Sequence, residues 1–255
     1  MDPFPSFAGG SAPAYSVIIP AHNEEDFIAG CLDSVDRAAE AAGAKPEIIV
    51  VLNRCKDRTE SRAAGRAILV CEDAPNLAKV RNAGVRASTG LVVVTMDADS
   101  RMAPNLFVEL GRALTAERYV GGAAPVRAER LSPGILATGL LLMIPFAIRG
   151  LSGGLFWCRR EDFEEIGGFD ESRWSGEDFD FAVRLKRRGR ATGRRFGILW
   201  KAPLVTSCRK FDRWGDWFVW KLLLRHPRAF VDVYRGRNPE LARLFWYEAE
   251  PFRKS

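Results

Sequence analysis

Asp97 and Asp99 stand at the end of an uninterrupted apolar run, Leu91-Val92-Val93-Val94-Thr95-Met96, with Ala98 between them. Paired carboxylates offer hard oxygen donors of the kind that suit Mg²⁺ or Mn²⁺. The β-branched run predicts a strand buried on both faces, the usual setting of a parallel sheet covered by helices. Alternation along that strand would point both carboxylates one way and Ala98 the other. In open α/β sheets ligands bind outside the carboxyl ends of the strands, so the two acids are placed where a substrate arrives. Read alone, Asp97-Ala98-Asp99-Ser100 fits equally well a polar turn that closes the strand ahead of a helix near Pro104.

The elements that must position these acids follow from periodicity. Tyr15 to Pro20 predicts a strand that Pro20 stops, since proline cannot donate to a ladder. A helix from Glu25 to Ala42 places Ile28, Leu32, Val35 and Ala39 on one stripe, and Gly43 ends it. Strands follow at Glu47 to Leu52 and Ala67 to Val70, with a short helix from Thr59 between them. Asn76 is placed to cap the next helix, which leads into the central run. Strand and helix alternate four times in this way, the pattern of a doubly wound parallel sheet. After a helix from Pro104 to Ala116 come strands at Tyr119 to Val126 and Leu155 to Cys158. Phe163 to Asp170 predicts a short helix closed by glycine. Gly176-Glu177-Asp178 then opens a helix with Phe181, Ala182 and Leu185 facing inward.

The chain has 255 residues, 47% hydrophobic and 27% charged, which fits a globular protein with a substantial core. A net charge of +6 suits a phosphate-bearing ligand, nucleic acid or an anionic membrane. No basic reading element interleaved with aromatics supports nucleic acid, which is not expected as a partner. Five dispersed cysteines without a CxxC pair predict a reduced setting and no zinc site, and two histidines exclude an imidazole-rich metal centre. Residues 1–14 read as a disordered leader rather than a signal peptide. Leu131 to Ile148 is uncharged and about as long as a bilayer span. Pro133, Gly134, Gly139 and Pro145 interrupt it, favouring a buried or membrane-touching helix. From Trp214 an aromatic, basic, amphipathic helix is expected, packed over the sheet or lying in a membrane interface.

Several motifs, in order, make the chain resemble the nucleotide-sugar glycosyltransferases of family 2, which have the GT-A fold. They are Val17-Ile18-Ile19-Pro20-Ala21-His22-Asn23-Glu24-Glu25, Leu77-Ala78-Lys79-Val80-Arg81-Asn82-Ala83-Gly84, Asp97-Ala98-Asp99, Gly167-Gly168-Phe169-Asp170, and Gly176-Glu177-Asp178 followed by Arg184-Leu185 and Gly189. The resemblance runs from about Tyr15 to Arg209. It implies an α/β GT-A domain over 15–210, Rossmann-like, with a helical tail over 211–255. It implies a metal-dependent, inverting transfer of a sugar from a nucleotide diphosphate to a hydroxyl acceptor, lipid-linked or glycan, in cell-envelope glycan synthesis. The expected location is cytoplasmic, at the inner face of the membrane if the apolar segments touch lipid. By the same resemblance Pro20, His22 and Glu24 border the nucleotide, Arg81 and Asn82 close the far side of its pocket, and Asp97 approaches the ribose or donor sugar. Asp99, with Asp97, holds the divalent ion, Mn²⁺ or Mg²⁺. Asp178 matches the general base, with Glu177 beside it; acidic capping of a helix is the alternative for that pair.

The chain departs from the family pattern at two points. Leu52-Asn53 stands where an acidic residue usually holds the base, leaving Asp57 and the amide of Asn53 for that task. Val205 to Lys210 lacks the late histidine that often completes the metal shell, and Arg209 and Lys210 are instead suited to neutralising a diphosphate. The competing readings are a nucleotidyltransferase, which would release pyrophosphate, and a binding protein of the same fold without turnover.

Overall fold

The computed structural model describes residues 14–225. In chain order its first half holds β1 (Tyr15–Ala21), α1 (Ile28–Ala42), β2 (Glu47–Leu52), α2 (Thr59–Ala63), β3 (Ile68–Cys71), α3 (Leu77–Arg86), β4 (Val92–Thr95), β5 (Ser100–Arg101) and α4 (Leu106–Thr115). The second half holds β6 (Tyr119–Ala124), β7 (Val126–Ala128), α5 (Pro133–Ile148), β8 (Leu155–Arg159), α6 (Arg160–Glu165), α7 (Glu177–Ala191), β9 (Arg195–Ile198), β10 (Leu204–Thr206), α8 (Arg209–Trp214) and α9 (Phe218–Arg225).

Seven strands form the main sheet in the order β3-β2-β1-β4-β8-β6-β9, and β5, β10 and β7 form a small second sheet. All neighbouring pairs of the main sheet are parallel except those of β8, which runs against β4 and β6. This is a mostly parallel α/β sheet, as the sequence resemblance implies. Its strands are apolar on both faces because each face has its own core. Val17 and Ile19 of β1, Val50 of β2 and Val94 of β4 join α1 and α4 on one side. Ile18, Val51 and Val93 meet Val80, Phe163 and Phe181 on the other. Gly122 of β6 is required by close approach, since a Cβ there would lie 1.9 Å from the carbonyl oxygen of Gly197 on β9.

Pro20 does not end β1. It pairs in register with Val51, and the strand continues to Ala21. The Ile18 carbonyl faces β4, where it accepts from Met96 N–H; Pro20, two residues on, faces the same side. The β4 ladder has by then ended at the Ile18–Thr95 pair, so proline's missing N–H costs no strand bond.

The apolar run 131–148 is helical but not buried. Ser132 caps α5 by accepting from Ile135 N–H, and only Gly134, Ile135, Thr138 and Phe146 of the helix are buried. No helix among the described residues is long and apolar enough to cross a membrane. The amphipathic tail is two helices rather than one, since Gly215 adopts φ 85° between α8 and α9. The proposed leader and most of the tail, including His226, lie outside the described residues. The five cysteines are unpaired.

Candidate active site

The order of the main sheet reverses between β1 and β4, the first strands of its two halves, and a crevice opens there past their carboxyl ends. The cavity in it encloses about 290 Å³. Pro20, Ala21, His22 and Glu24 line it from the end of β1, Asn53 from the end of β2, and Asp97, Ala98 and Asp99 from the end of β4. Thr206, Ser207, Arg209 and Lys210 close the polar side, while Thr138, Leu142, Phe211, Phe218 and Val219 bring α5, α8 and α9 over it as an apolar wall.

The two acids of the central motif stand past the strand, not on it. The ladder of β4 stops at Thr95, and Ser100 N–H donates to the Asp97 carbonyl at 3.1 Å, closing a turn. Strand alternation therefore does not aim these side chains. The turn does, and it still presents both acids to the cavity while Ala98 packs into the core.

Each acid meets an arginine. Asp97 Oδ1 accepts from Arg81 Nη2 at 2.9 Å. Arg209 grips Glu24 with two parallel bonds of 2.6 Å and reaches Asp99 Oδ2 at 3.3 Å. The guanidinium is therefore held mainly by Glu24, in the fork geometry that favours arginine. Burial pushes the Glu24 carboxyl up to about 7 against the pull of Arg209, and burial also raises Asp99. Burial lowers Lys210.

Asn53 is buried and its two ends differ. Its Nδ2 donates to the carbonyls of Glu72 and Ala74, the latter at 2.9 Å, while Oδ1 has no partner. Its own carbonyl lies 2.6 Å from His22 Nδ1, which ties the loops after β1 and β2 together. Asp57 completes that tie and stands outside the cavity lining. It accepts from Glu25 N–H at 3.0 Å and from Thr59 N–H and Oγ1. These bonds tie the loop after β2 to the start of α2 and to the loop after β1.

Behind the cavity, Arg81 of α3 is almost wholly buried and joins the two acidic motifs, with Nη1 donating to Glu177 Oε1 at 2.7 Å. Gly176 adopts the left-handed φ of 64° that turns the chain into α7, so Glu177 and Asp178 occupy its first turn. Burial pushes Glu177 up to about 7 despite Arg81, and burial likewise raises Asp178. Asp178 Oδ1 accepts from Phe179 N–H at 2.7 Å. Asn82 faces away from the cavity. It accepts from Phe169 N–H and donates to Phe169 O and Glu171, pinning the loop before α7.

Thus Pro20, His22, Glu24, Asn53, Asp97 and Asp99 gather around one cavity. Arg81, Glu177 and Asp178 adjoin it through Asp97, and Asp57 and Asn82 hold loops. The wall from α5, α8 and α9 has no sequence signal beyond apolarity, because only the fold brings those residues to β1.

Residues 16–167 match the model of glycosyl transferase family 2, and residues 140–199 match that of the N-terminal domain of galactosyltransferase. None of the curated proteins matches this sequence. Among solved structures, mannosyl-3-phosphoglycerate synthase from Rubrobacter xylanophilus superposes with a TM-score of 0.60 at 20% identity over 92% of this chain and 80% of that one. The mannosyltransferase PcManGT from Pyrobaculum calidifontis, in complex with GDP-Man and Mn²⁺, gives 0.57 at 21% identity over 91% and 66%. TarS from S. aureus, in complex with UDP-GlcNAc, gives 0.56 at 16% identity over 76% of this chain, which spans 58% of that one. At such identities these likenesses establish the fold, and the family match covers more than half of the sequence. The chain belongs to glycosyl transferase family 2.

Proposed function

We propose that this chain transfers a sugar from a nucleotide-diphosphate donor to a hydroxyl acceptor, inverting the anomeric centre. The observation that carries the reading is the cavity at the β1/β4 switch point, where the unpartnered buried Oδ1 of Asn53, three carboxylates and two cationic side chains converge. The base lies toward Asn53, the donor sugar toward Asp97, and the diphosphate toward Arg209 and Lys210, whose charges offset that of the leaving group. Asp178 takes the acceptor proton as the hydroxyl attacks. Glu177 and Arg81 hold the first turn of α7 against Asp97, which fixes that base relative to the donor.

A divalent ion fits only together with the donor. Among the described residues no cluster of three or more His, Cys, Asp or Glu side chains could hold a metal. Glu24 is held bidentately by Arg209, so Asp99 and Asp97 are the cavity carboxylates that would hold the ion, and Mg²⁺ is commonly held by one or two carboxylates plus substrate phosphates. The looser contact of Arg209 to Asp99 leaves that carboxylate the freer to exchange partners. When bound, the ion stabilises charge on the departing diphosphate. The structures similar to this chain that contain Mn²⁺ with UDP or GDP-Man support this assignment.

Asn53 sets the base preference. Its Nδ2 is committed to two carbonyls, so only Oδ1 is left to meet the base, and it asks for a ring N–H. Uracil and guanine carry one at the centre of the pairing edge, whereas cytosine and adenine carry a lone pair there and donate only through an exocyclic amine at its margin. Calorimetry is therefore expected to rank UDP or GDP above CDP and ADP. Asn53→Ala should weaken the preferred ligand about tenfold, the worth of one hydrogen bond. Equal affinity for all four nucleotides in the wild type would remove Asn53 from this role. The reaction itself is tested by its product: release of nucleoside diphosphate from a nucleotide sugar supports the transfer, and release of pyrophosphate from a nucleoside triphosphate and sugar phosphate contradicts it.

A further inference from the structure

The outer side of α5 carries an apolar surface that the transfer reaction does not use. Leu136, Leu140, Ile144 and Ile148 follow one another at four-residue spacing and so share a face. They are 56%, 63%, 50% and 78% exposed, and Leu131, just before the helix, is equally bare. The stripe is about 18 Å long at the rise of an α-helix. Scattered exposed leucines are ordinary, but a continuous row of this size marks a contact surface. The helix is seated firmly on its other side. A Cβ on Gly134 would lie 2.6 Å from the Asp216 carbonyl oxygen, and Phe146 packs edge-on to Phe179 at 5.1 Å. The stripe is therefore a rigid outward face.

Charge and aromatic placement indicate what covers it. From Leu131 to Arg160 there is no acidic residue, and Arg149 stands exposed at the end of α5. The neighbouring segment from Trp217 to Arg225 also lacks acids. There Phe218, Val219 and Leu222 face inward, while Trp217, Lys221 and Leu224 are exposed. Tryptophan and leucine beside lysine, next to a wholly uncharged helix, form the pattern of an interfacial contact with anionic lipid. At 16 residues α5 falls short of a span, so it lies along the surface rather than through it.

We propose that the outer faces of α5 and α9 dock on an anionic bilayer surface. Both helices also line the cavity, through Thr138 and Leu142 of α5 and Phe218 and Val219 of α9, so docking sets the cavity beside the membrane plane. The docking stands on the exposed stripe and its cationic flank, independently of the transferase reading.

Co-sedimentation of the full chain with phosphatidylcholine vesicles, with and without phosphatidylglycerol, tests this. The wild type is expected to pellet about tenfold more strongly with the anionic vesicles, and Lys221→Glu to lose most of that preference. Leu140→Glu with Ile144→Glu should reduce anionic-vesicle binding by about tenfold or more while leaving the melting temperature unchanged, because both side chains already face water. Wild-type protein remaining in the supernatant with both vesicle types would overturn the proposal. So would a double variant that binds as well as the wild type. Loss of melting temperature or of a dimer in the double variant, without vesicle binding by the wild type, would assign the stripe to residues 226–255 or to a second copy instead.

Discussion

Asp178→Asn is expected to lower turnover about a thousand-fold, within the span that a positioned general base contributes, and to leave nucleoside-diphosphate affinity nearly unchanged. The side chain stands outside the cavity lining, so it has little to offer the donor, and asparagine keeps its shape and can still accept from Phe179 N–H. What asparagine cannot do is take the proton of the acceptor hydroxyl. Burial raises the Asp178 carboxyl, so the acid limb of the wild-type profile in kcat/KM should lie above the ordinary aspartate range. A variant that turns over normally would return Glu177-Asp178 to the alternative reading, in which acids merely favour the start of a helix.

Arg81→Met should produce the largest loss of stability, about 4 kcal/mol, because it leaves the buried Glu177 carboxylate without its cation and takes one from the half-buried Asp97. Chemical denaturation at pH 8 measures the loss. Glu177→Gln in the same background should recover part of it, and the double-mutant cycle gives the coupling. The pH dependence follows from the raised carboxyl. Its folded pKa of about 7 exceeds the unfolded value, so the stability it contributes is fully present below the unfolded pKa and is lost as pH rises through about 7. Without Arg81, which pulls that pKa down, the carboxyl holds its proton to still higher pH. The deficit of the variant should accordingly shrink as the pH is lowered toward about 5. An equal deficit at both pH values would mean that arginine packing, and not the buried charge of Glu177, accounts for the effect.

The elements were legible where local chemistry decides them. Glu47–Leu52 forms a strand as expected, Asn76 caps α3 by accepting from Lys79 N–H, and Gly43 closes α1 in the left-handed conformation. Tertiary context overrode local chemistry elsewhere. Pro20 stays inside β1 because its neighbour strand ends first, and Asp97 and Asp99 are aimed by a turn although the run before them looked long enough to carry them on the strand. The motifs around Asp97, Asp99 and Glu177 were readable because each is contiguous. Asp57 and Asn82 lie in equally polar motifs, yet their hydrogen bonds go to neighbouring loops. Sequence gives no sign of which polar atoms a loop will consume. The same holds for the pairing of Glu24 with Arg209, residues 185 positions apart that meet only because β10 and α8 return to the end of β1.

The most direct test is thermal stability of wild type and Asp99→Asn with UDP, GDP, CDP and ADP, each with and without Mn²⁺. Ligand at about 100 times its dissociation constant adds roughly 2.7 kcal/mol, a readily measured rise in melting temperature. The predicted result is a Mn²⁺-dependent rise with UDP or GDP in the wild type that Asp99→Asn loses while its unliganded melting temperature is retained. No rise with any nucleotide in folded wild-type protein, with or without Mn²⁺, would contradict a nucleotide-sugar site at the β1/β4 crevice.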